Sequence, residues 1–538
     1  QKVMDRYIRE ANNIYQKEHS NRNTLALNKY IPITELLSLT FNLPKIKGSE
    51  QRSESISVGK YLSDVNPIVD IVSMMTGIDN LKTSIVNRAN SKTKKESEKT
   101  TIEGTMISLE NETGYITALV GGSKFDQENQ FIRAVQARVQ PGSSFKPLYY
   151  TEAIDSRKFT PATEISDTPT VFHTADGKPY IPLNFKGEWE GNVQVWYALC
   201  RSMNVPSLKV LDTIGFDAAI NRAVSLLGIS KEELPSRAFV PGYPIGLGVC
   251  SVRPIEMARA FSIIASGGKE ITPMSIRTVE DKNGNIILNP EKEIREAQLA
   301  KGEAIQTLSP QTAFVMSKLL ENTVHGPGTL SAQSWKFDYK TEKGKKFTMP
   351  AGGKTGTTQN WADAWTVGFT PYNTAAFWFG FDKPGQSLGL KITGATLAGF
   401  AWGDYMRQIH RGLPLKDFPK PTEGVIQCTV CSESGMIPTP ECGSHLTTQW
   451  FLSGTQPTSI CPIHSNKTGS ALGIARLQRE KYQSGQHMTA KIDTSPLQLD
   501  LSFLGINTGS SAANKNNSSN AVQTEEPEEL PDFNYFMQ

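Results

Sequence analysis

Residues 138–147, RVQPGSSFKP, combine a chain turn with a helix start that carries a serine and a lysine. Pro141 and Gly142 turn the chain, so a helix is predicted to begin at Ser143. Residues three apart share one helix face, which brings the Lys146 amine within reach of the Ser143 hydroxyl. Unpaired N–H groups at the helix start favour a developing oxyanion. The pattern predicts a serine nucleophile with a lysine base, once burial or a second cation lowers the pKa of that lysine.

The Ser-x-x-Lys tetrapeptide by itself is not specific, because it also occurs at Ser57, Ser91 and Ser266. Ser91 lies in the charged run 91–100, which is predicted to be a solvated loop. Ser266 follows a predicted helix, and Ser57 precedes a glycine by two residues. For Ser143 the alternative is an ordinary helix N-terminus with a serine cap. The surrounding sequence favours Ser143 as the nucleophile.

Residues 199–206, LCRSMNVP, hold a second candidate group. Asn204 and Pro206 are expected to break any helix, so that a short turn presents the Ser202 hydroxyl and the Asn204 amide. A hydroxyl can relay a proton, and an amide can hold a peptide carbonyl. The alternative is a capped turn between two helices.

Residues 351–358, AGGKTGTT, hold a third candidate group. They are predicted to form a strand beside a partner strand at 363–369. Glycines on a strand let a ligand backbone come close, and the Thr355 and Thr357 hydroxyls can bind a carboxylate beside the Lys354 cation. Lys354 is also a candidate for the second cation that keeps the catalytic lysine partly neutral. The alternative is an edge strand with a glycine bulge.

Strand and helix patterns surround these three stretches. The predicted strands lie at 105–109, 115–120, 353–358, 364–369 and 375–381. The predicted helices lie at 1–17, 254–265, 310–324 and 396–409. Strands come first, helices follow and strands return, which is typical of an antiparallel sheet whose first strands meet its last ones. The predicted fold class is therefore α/β in the broad sense, of the α+β kind.

The composition is ordinary for a globular protein: 538 residues, 38% hydrophobic and 20% charged, with a net charge of +3. This balance argues against nucleic acid, and against an acidic membrane surface, as the main partner. No run of 18 apolar residues occurs, so no membrane-spanning helix is expected in the chain as given. Because the chain starts at Gln1 within a helical pattern, we expect an upstream part with a membrane anchor to be missing.

The three stretches come in the order Ser-x-x-Lys, Ser-x-Asn, Lys-Thr-Gly, which resembles the penicillin-recognising serine acyltransferases. Their flanks, with residues 118–122 (ALVGG) and 429–435 (TVCSESG), resemble class A penicillin-binding proteins over residues 102–465. The resemblance implies a penicillin-binding fold: a five-stranded antiparallel sheet flanked by helices, with a helical subdomain. The domains implied are a connector at 1–100, a transpeptidase domain at 101–415, a cysteine-containing extension at 416–470 and a mostly disordered tail at 471–538.

The resemblance also implies a peptidoglycan D,D-transpeptidase, which cross-links stem peptides and is acylated by β-lactam antibiotics. The residues with implied catalytic roles are Ser143, Lys146, Ser202, Asn204 and Lys354. The residues implied to bind the substrate carboxylate, with Lys354, are Thr355, Gly356 and Thr357. Ser143 would attack the penultimate D-alanine carbonyl and Lys146 would take its proton, while Ser202 would return a proton to the leaving D-alanine. Asn204 would position the donor peptide, and the N–H groups of Ser143 and Thr357 would form the oxyanion hole.

Class A proteins also carry a membrane anchor and a glycosyltransferase domain, for which residues 1–100 are too short. Glycosyltransferase activity is therefore an expectation for a parent protein. The resemblance implies a place on the extracytoplasmic face of the bacterial membrane, other cell-wall synthesis proteins as partners, and no cofactor. Two alternatives stay open: hydrolysis, as a D,D-carboxypeptidase or β-lactamase, and a non-catalytic sensor of β-lactams or peptidoglycan.

Four of the six cysteines crowd a short stretch: Cys428, Cys431, Cys442 and Cys461. They could bind zinc, with His445 and His464 nearby, or form disulfides, or remain free thiols. Disulfides are favoured because the family works outside the cytoplasmic membrane, where thiols can oxidise. The pairing of the cysteines stays open, and no residue is assigned as a metal ligand.

Overall fold

The computed structural model describes residues 1–28 and 101–464, except residues 128, 186, 359, 360 and 390, with side chains up to residue 17 in the first segment. Its helices are α1 (Lys2–Asn28), α2 (Arg133–Gln136), α3 (Lys146–Asp155), α4 (Val195–Cys200), α5 (Asn204–Ile214), α6 (Phe216–Leu227), α7 (Tyr243–Gly246), α8 (Pro254–Ala265), α9 (Pro290–Ala300), α10 (Pro310–His325) and α11 (Gly399–Ile409). Its strands are β1 (Glu103–Glu110), β2 (Ile116–Val120), β3 (Glu164–Asp167), β4 (Phe172–His173), β5 (Pro179–Tyr180), β6 (Gly191–Gln194), β7 (Val279–Glu280), β8 (Ile286–Leu288), β9 (Asp338–Lys340), β10 (Lys346–Thr348), β11 (Gly352–Thr357), β12 (Asp363–Phe369), β13 (Asn373–Gly380), β14 (Val425–Cys431) and β15 (Leu446–Leu452). The predicted tail, the charged run 91–100 and most of the predicted connector lie outside the described residues.

Five strands form one antiparallel sheet in the order β11-β12-β13-β1-β2. β1 pairs with β13 along its whole length, from Glu103 opposite Gly380 to Glu110 opposite Asn373. The hairpin from the early part of the chain therefore lies beside strands that form much later. This confirms the predicted α+β class and the five-stranded antiparallel sheet. Each observed strand of the sheet begins and ends within about two residues of its predicted bounds.

Side chains alternate between the two faces of the sheet, and each face has its own apolar core. Trp365 and Trp378 lie in the core that α8 and α10 cover. Phe377 and Phe379 lie in the opposite core, against α1 and α11. Because the sheet is covered on both faces, nearly every residue of the central strands β1 and β13 is buried, and buried residues do not alternate with exposed ones.

Proline and serine mark the helix starts as the sequence predicts. α8 has the predicted bounds, Pro254–Ala265. α10 begins at Pro310 after Ser309, whose Oγ accepts a hydrogen bond from Thr312 N at 3.2 Å. That cap satisfies one of the N–H groups that helical hydrogen bonding leaves unpaired. α10 contacts both β11 of the sheet and β15 of the extension, so it joins the two regions.

The first helix, predicted at 1–17, carries a stripe of apolar residues, and most of that stripe is buried. Its buried members are Met4, Tyr7, Ile8, Ala11 and Tyr15. Asn12 Nδ2 donates to Ile102 O at 2.9 Å, and Ile102 N donates back to Asn12 Oδ1 at 2.8 Å. The start of α1 is thus a layer of the fold and covers one face of the sheet. Among the helices of the described residues, α1 included, none has the length together with the apolar content that a bilayer span requires.

The extension is built on an antiparallel hairpin of β14 and β15. Cys428 and Cys431 both lie on β14, where an offset of three residues directs two side chains to opposite faces. Cys431 is buried together with Cys442 and Cys461, whereas Cys428 lies in a separate cluster. All six cysteines are free thiols, so the prediction of disulfides is wrong for this structure. The pleat of β14 is the physical reason that the Cys-x-x-Cys sulfurs do not meet.

Candidate active site

Ser143 lies in a 3-10 turn, Gly142–Phe145, that leads directly into α3. The α-helix therefore begins at Lys146, three residues later than predicted. Pro147 lies in the first turn of α3, where its missing N–H costs least. Gly142 has a φ of +55°, a conformation that a side chain would strain. This local geometry places the serine at the end of a tight turn.

The serine turn is held against the sheet by two close approaches. Trp365 Nε1 donates to Gln140 O at 2.7 Å. A Cβ at position 356 would lie 2.2 Å from Pro141 O and 3.0 Å from Ser144 Oγ. Gly356 therefore lets β11 pass directly beside the turn. The structure explains the glycine at position 356 by this close packing. The substrate contact expected of Gly356 stays a prediction.

Lys146 is fully buried, and its amine is surrounded by acceptors from another part of the chain. Nζ donates to Ser202 O at 2.8 Å, to Met203 O at 2.9 Å and to Asn204 Oδ1 at 2.9 Å. The direct bond to the nucleophile's hydroxyl that the sequence predicts is not among the hydrogen bonds of the described residues. Burial, and next the nearby Lys354 cation, hold the pKa of Lys146 well below its ordinary value.

Ser202 lies between the two buried lysines. Its carbonyl accepts from Lys146 Nζ, and its Oγ accepts from Lys354 Nζ at 2.7 Å. Ser202 has a φ of +64°, a left-handed conformation that is uncommon for a residue with a side chain. Lys354 Nζ also donates to Thr355 O at 2.9 Å, and its side chain is fully buried. Burial lowers the pKa of Lys354 to about 7.

Asn204 is the first residue of α5 rather than part of a turn. The helix break lies earlier, at residues 201–203 between α4 and α5, because Pro206 fits within the first turn of a helix. Asn204 Oδ1 accepts from Lys146 Nζ, and Nδ2 donates to Leu183 O at 2.8 Å. The amide is therefore fixed in orientation, with its oxygen toward the lysine.

A cleft of about 490 Å³ brings the predicted residues together. The predicted residues in its wall are Ser143, Ser202, Asn204, Thr355 and Thr357. Lys146 and Lys354 are fully buried behind this wall. Three stretches that lie far apart in the sequence thus converge on a single cavity.

The cleft wall also contains polar residues that the sequence did not single out: Gln140, Arg201, Thr329, Thr358 and Thr393. Thr355 Oγ1 donates to Thr329 Oγ1 at 2.8 Å, and Gly394 N donates to Thr357 Oγ1 at 3.0 Å. Arg201 directly precedes Ser202, so its position was a usable signal. Thr329 follows α10 in an irregular segment, and nothing in the sequence marks it.

Clusters with metal-ligand chemistry lie, within the described residues, in the extension. They comprise Cys431, Cys442, Cys461 and His464, with Glu433 and His445 beside them. The polar wall of the cleft offers mainly hydroxyl and amide groups and one guanidinium, a set that does not match the thiolate, imidazole and carboxylate ligands of transition metals.

Comparison with known protein families gives two matches. The penicillin binding protein transpeptidase domain matches residues 104–398, more than half of the chain. The C-terminal domain of penicillin-binding protein 1A matches residues 421–466. The first match contains the whole cleft, and the second contains the cysteine cluster.

Similar proteins include several that are named penicillin-binding protein 1A. The one from Aquifex aeolicus is 30% identical over 360 residues, which cover 67% of this chain and 45% of the relative. The one from Neisseria gonorrhoeae is 33% identical over 328 residues, which cover 60% of this chain and 38% of the relative. The chain therefore spans less than half the length of these two relatives.

The crystal structure of penicillin-binding protein 1A from Haemophilus influenzae shares the fold, with a TM-score of 0.57 and 24% identity over 67% of this chain and 54% of that chain. The sheet order, the two matched domains and the relatives agree. The chain belongs to the penicillin-binding protein transpeptidase family, and it carries the transpeptidase region of a class A protein together with the C-terminal domain of penicillin-binding protein 1A.

Proposed function

We propose that the chain is a peptidoglycan D,D-transpeptidase that works through an acyl-enzyme on Ser143. The observation that carries this proposal is the pair of buried lysines that contact Ser202 from two sides, behind a cleft that Ser143 lines. Burial and mutual repulsion depress the pKa of Lys146. A lysine of depressed pKa is partly neutral near neutral pH and can activate a serine.

Lys146 takes the Ser143 proton in the first step. A charged ammonium has three donors, and three acceptors surround Nζ. A neutral amine has two N–H donors and a lone pair. Loss of the proton therefore leaves one of the three acceptors without its hydrogen bond from Nζ, and the lone pair is then available to the Ser143 hydroxyl. Ser143 Oγ then attacks the carbonyl carbon of the penultimate D-alanine.

The N–H groups of Ser143 and Thr357 stabilise the oxyanion that forms on this carbonyl. Support for this pairing is the close approach of the serine turn to β11: a Cβ at position 142 would lie 3.4 Å from Thr357 N. Donors fixed by backbone geometry need no reorganisation when the charge develops, which is why such sites lower the barrier.

Ser202 relays the proton to the leaving group. The C–N bond to the terminal D-alanine breaks, and its amine gains the proton that left Ser143, through Lys146 and Ser202 Oγ. Lys354 Nζ donates to that hydroxyl, which leaves the Ser202 proton free to point into the cleft. The amine of a neighbouring stem peptide then attacks the acyl-enzyme and returns a proton by the reverse route. A cross-link forms and Ser143 is regenerated.

The hydroxyls of Thr355 and Thr357 bind the terminal carboxylate of the donor peptide, and the hydroxyl hydrogen of Thr355 turns from Thr329 Oγ1 to the carboxylate when the peptide binds. Both residues line the cleft, whereas Lys354 is fully buried and directs its amine at Ser202 Oγ and Thr355 O. Lys354 therefore supplies positive charge behind the hydroxyls instead of a direct contact. Asn204 lines the same cleft, where it would position the donor peptide. Its amide oxygen accepts a hydrogen bond from Lys146 Nζ and so orients that amine.

The proposal includes peptidoglycan stem peptides and β-lactams as ligands, and a place on the extracytoplasmic face of the bacterial membrane. It also includes other cell-wall synthesis proteins as partners and a parent protein that polymerises glycan strands. The likeness to penicillin-binding protein 1A supports these parts of the proposal.

Labelling with a fluorescent penicillin, followed by mass spectrometry of the labelled peptide, tests the nucleophile. We expect the label on Ser143, and none on the Ser143→Ala variant. Ser144→Ala is the matched control and keeps the label, because Ser144 lies in the same turn but donates its hydroxyl to Pro141 O at 2.6 Å. A label on another residue, or labelling of Ser143→Ala, would contradict the proposal.

A D-Ala-D-Ala donor peptide with an amine acceptor tests the reaction. A transpeptidase releases D-alanine and forms a cross-linked product whose yield rises with acceptor concentration. Release of D-alanine without cross-linking, or rapid turnover of penicillin, would instead identify a D,D-carboxypeptidase or a β-lactamase. Labelling of Ser143 without any release of D-alanine would identify a sensor.

A further inference from the structure

Three cysteines and one histidine meet inside the extension, away from the groups that the proposed reaction uses. The ligand atoms of Cys431, Cys442, Cys461 and His464 all lie within 4.8 Å of one another, and all four residues are buried. His464 Nδ1 lies 3.5 Å from Cys431 Sγ and 3.4 Å from Cys461 Sγ. No acid–base step of the transpeptidase reaction requires thiols at this place.

We propose that Cys431, Cys442, Cys461 and His464 bind one zinc ion, which holds the extension together. Zinc in structural sites takes four tetrahedral ligands, with Zn–S of about 2.3 Å and Zn–N of about 2.0 Å. A tetrahedron of that size separates the nitrogen from each sulfur by about 3.5 Å, as simple geometry on those bond lengths requires. The two nitrogen–sulfur distances in the structure match this edge.

The orientation of His464 is a second, independent indication of a metal site. Its Nδ1 faces the sulfurs, while its Nε2 lies 3.7 Å from Glu433 Oε2. The other oxygen of Glu433 lies 2.9 Å from His445 Nδ1, which fixes the carboxylate in place. Metal-bound histidines usually direct their second nitrogen at a carboxylate, which sets the ring orientation and makes the ligating nitrogen more basic.

Backbone hydrogen bonds hold the three cysteines near one another. Cys431 N donates to Met436 O at 2.9 Å, and Cys461 N donates to Ile437 O at 2.7 Å. Cys431 and Cys461 are therefore bonded to two consecutive residues, Met436 and Ile437, which keeps them close together. Cys442 Sγ accepts a hydrogen bond from Thr439 N at 3.3 Å, which helps to fix the position of this sulfur.

The chemistry of the ligands selects zinc over other occupants. Calcium and magnesium prefer oxygen ligands, whereas thiolate and imidazole suit zinc. Four buried protein ligands leave no open position for water, which is typical of a structural site and not a catalytic one. A disulfide is the competing outcome, but it would join only two of the three clustered sulfurs and leave one thiol unpaired.

Few apolar residues surround the clustered thiols, so a bound metal would supply stabilisation that apolar burial does not supply there. Phe418 and Leu452 of the extension join the main core, and Val430 and Phe451 cluster with Ala162 of the transpeptidase domain. The thiol cluster itself has the half-buried Ile463 as its apolar neighbour among the described residues, and structural zinc commonly supplies folding free energy where apolar burial is small.

The metal content of the full chain, purified without chelators, tests the proposal. We expect about one zinc per chain in the wild type and in Cys428→Ser. Cys428 is the matched control because it is a cysteine of the same strand, β14, outside the cluster. Cys442→Ser and His464→Ala should retain zinc only at background level, while penicillin labelling of Ser143 reports that the transpeptidase domain of each variant is folded.

Alkylation of the wild-type protein gives a result that does not depend on any variant. We expect iodoacetamide to modify Cys431, Cys442 and Cys461 only after a zinc chelator is added, whereas modification of Cys428 is the same with and without the chelator. Reconstitution with Co²⁺ should give the visible absorption of tetrahedral cobalt with thiolate ligands. Reduced wild-type protein that neither contains zinc nor binds Co²⁺, alkylation that the chelator does not change, or a disulfide between two of the clustered cysteines would each overturn the proposal.

Discussion

Behind the cleft, Lys146 is buried beside the larger apolar core of the molecule, whereas in the extension Cys431, Cys442 and Cys461 are buried with hardly any apolar residue around them. In the first region apolar neighbours exclude water from the lysine amines and depress their pKa values. In this part of the extension, the interior is filled by three thiols and His464 instead of apolar side chains. Burial beside the large core therefore lowers the pKa values of the two lysines. In the extension, where the core is small, burial instead brings together side chains that can bind a metal.

Removal of the amine that we propose as the base gives the largest expected effect. Lys146→Met keeps the volume of the side chain but leaves Ser143 without a base, so the rate of acylation by penicillin should fall by about 10²- to 10⁴-fold. The rate constant can be measured from the appearance of the fluorescent acyl-enzyme. Lys158→Met is the control, because Lys158 lies just beyond α3 and its exposed amine donates to Thr213 O. Acylation of Lys146→Met at the wild-type rate would mean that another group takes the proton.

The pH dependence of stability tests whether burial controls the second lysine. The folded protein holds the pKa of Lys354 near 7, whereas an unfolded lysine titrates near 10.4, so the unfolded chain binds more protons between these values. The stability of the wild type relative to Lys354→Met should therefore rise as pH increases from about 7 to about 10, on the order of 1 kcal/mol per pH unit. It should be flat below pH of about 7, where the full cost of the buried charge is already present.

Melting temperatures of both proteins across this pH range give the difference. If the difference between wild type and Lys354→Met does not change with pH, the pKa of Lys354 is not depressed by folding. Lys158→Met, which replaces an exposed lysine, is the control for the substitution itself.

A buried glutamine joins the two regions, and its removal should open the extension without affecting the chemistry of the cleft. Gln194 Nε2 donates to Cys431 O at 2.8 Å, and Gln194 is buried. Gln194→Ala removes one of the two hydrogen bonds that Cys431 O accepts, the other coming from Gly435 N at 2.9 Å, at a cost of about 0.5–1.5 kcal/mol. Hydrogen exchange of β14 and β15 should be faster, while acylation of Ser143 is unchanged.

Gln311→Ala is the matched control for this pair of regions. Its amide also donates to the extension, at Glu423 O over 3.4 Å, but the contact is exposed. We expect a loss below about 0.5 kcal/mol, as for surface substitutions in general. Equal effects of the two glutamine variants would contradict the role given to burial.

The aromatic contact between α10 and the extension gives a further test of the link between the two regions. Phe314 and Trp450 pack edge to face with their ring centres 5.0 Å apart. Trp450→Leu keeps an apolar residue on β15 but removes the ring pair, which is worth about 1 kcal/mol. Hydrogen exchange of β15 measures the change, and no change would show that α10 does not support the extension.

The sequence predicted best those helices whose ends are marked by proline, serine or glycine residues. α8 follows from Pro254 at one end and the glycines after Ala265 at the other, and α10 follows from the Ser309 cap. Such signals act within a few residues, so a single sequence contains them. Disulfides were favoured among Cys428, Cys431, Cys442 and Cys461 because the family works outside the cytoplasmic membrane, and the sequence could not show that β14 directs Cys428 away from the other three.

The candidate site was predicted as a set of residues but not as a set of contacts. Motif order and flanks identified Ser143, Ser202 and Lys354, and the structure brings them to one cleft. The three acceptors around Lys146 could not be predicted, because two of them are backbone carbonyls whose direction depends on the left-handed conformation of Ser202. Thr329 was missed since its place in the wall results from tertiary packing alone.

Ser202 serves one lysine with its carbonyl and the other with its hydroxyl, from a backbone conformation that few residues tolerate. A β-branched replacement would be strained at that φ, and alanine would remove the hydroxyl that Lys354 contacts. A change of backbone conformation here therefore disturbs the contact with Lys146, and loss of the hydroxyl disturbs the contact with Lys354. If Ser143 is the nucleophile as we propose, a variant at position 202 that slows acylation by a β-lactam should also slow the reaction with the donor peptide.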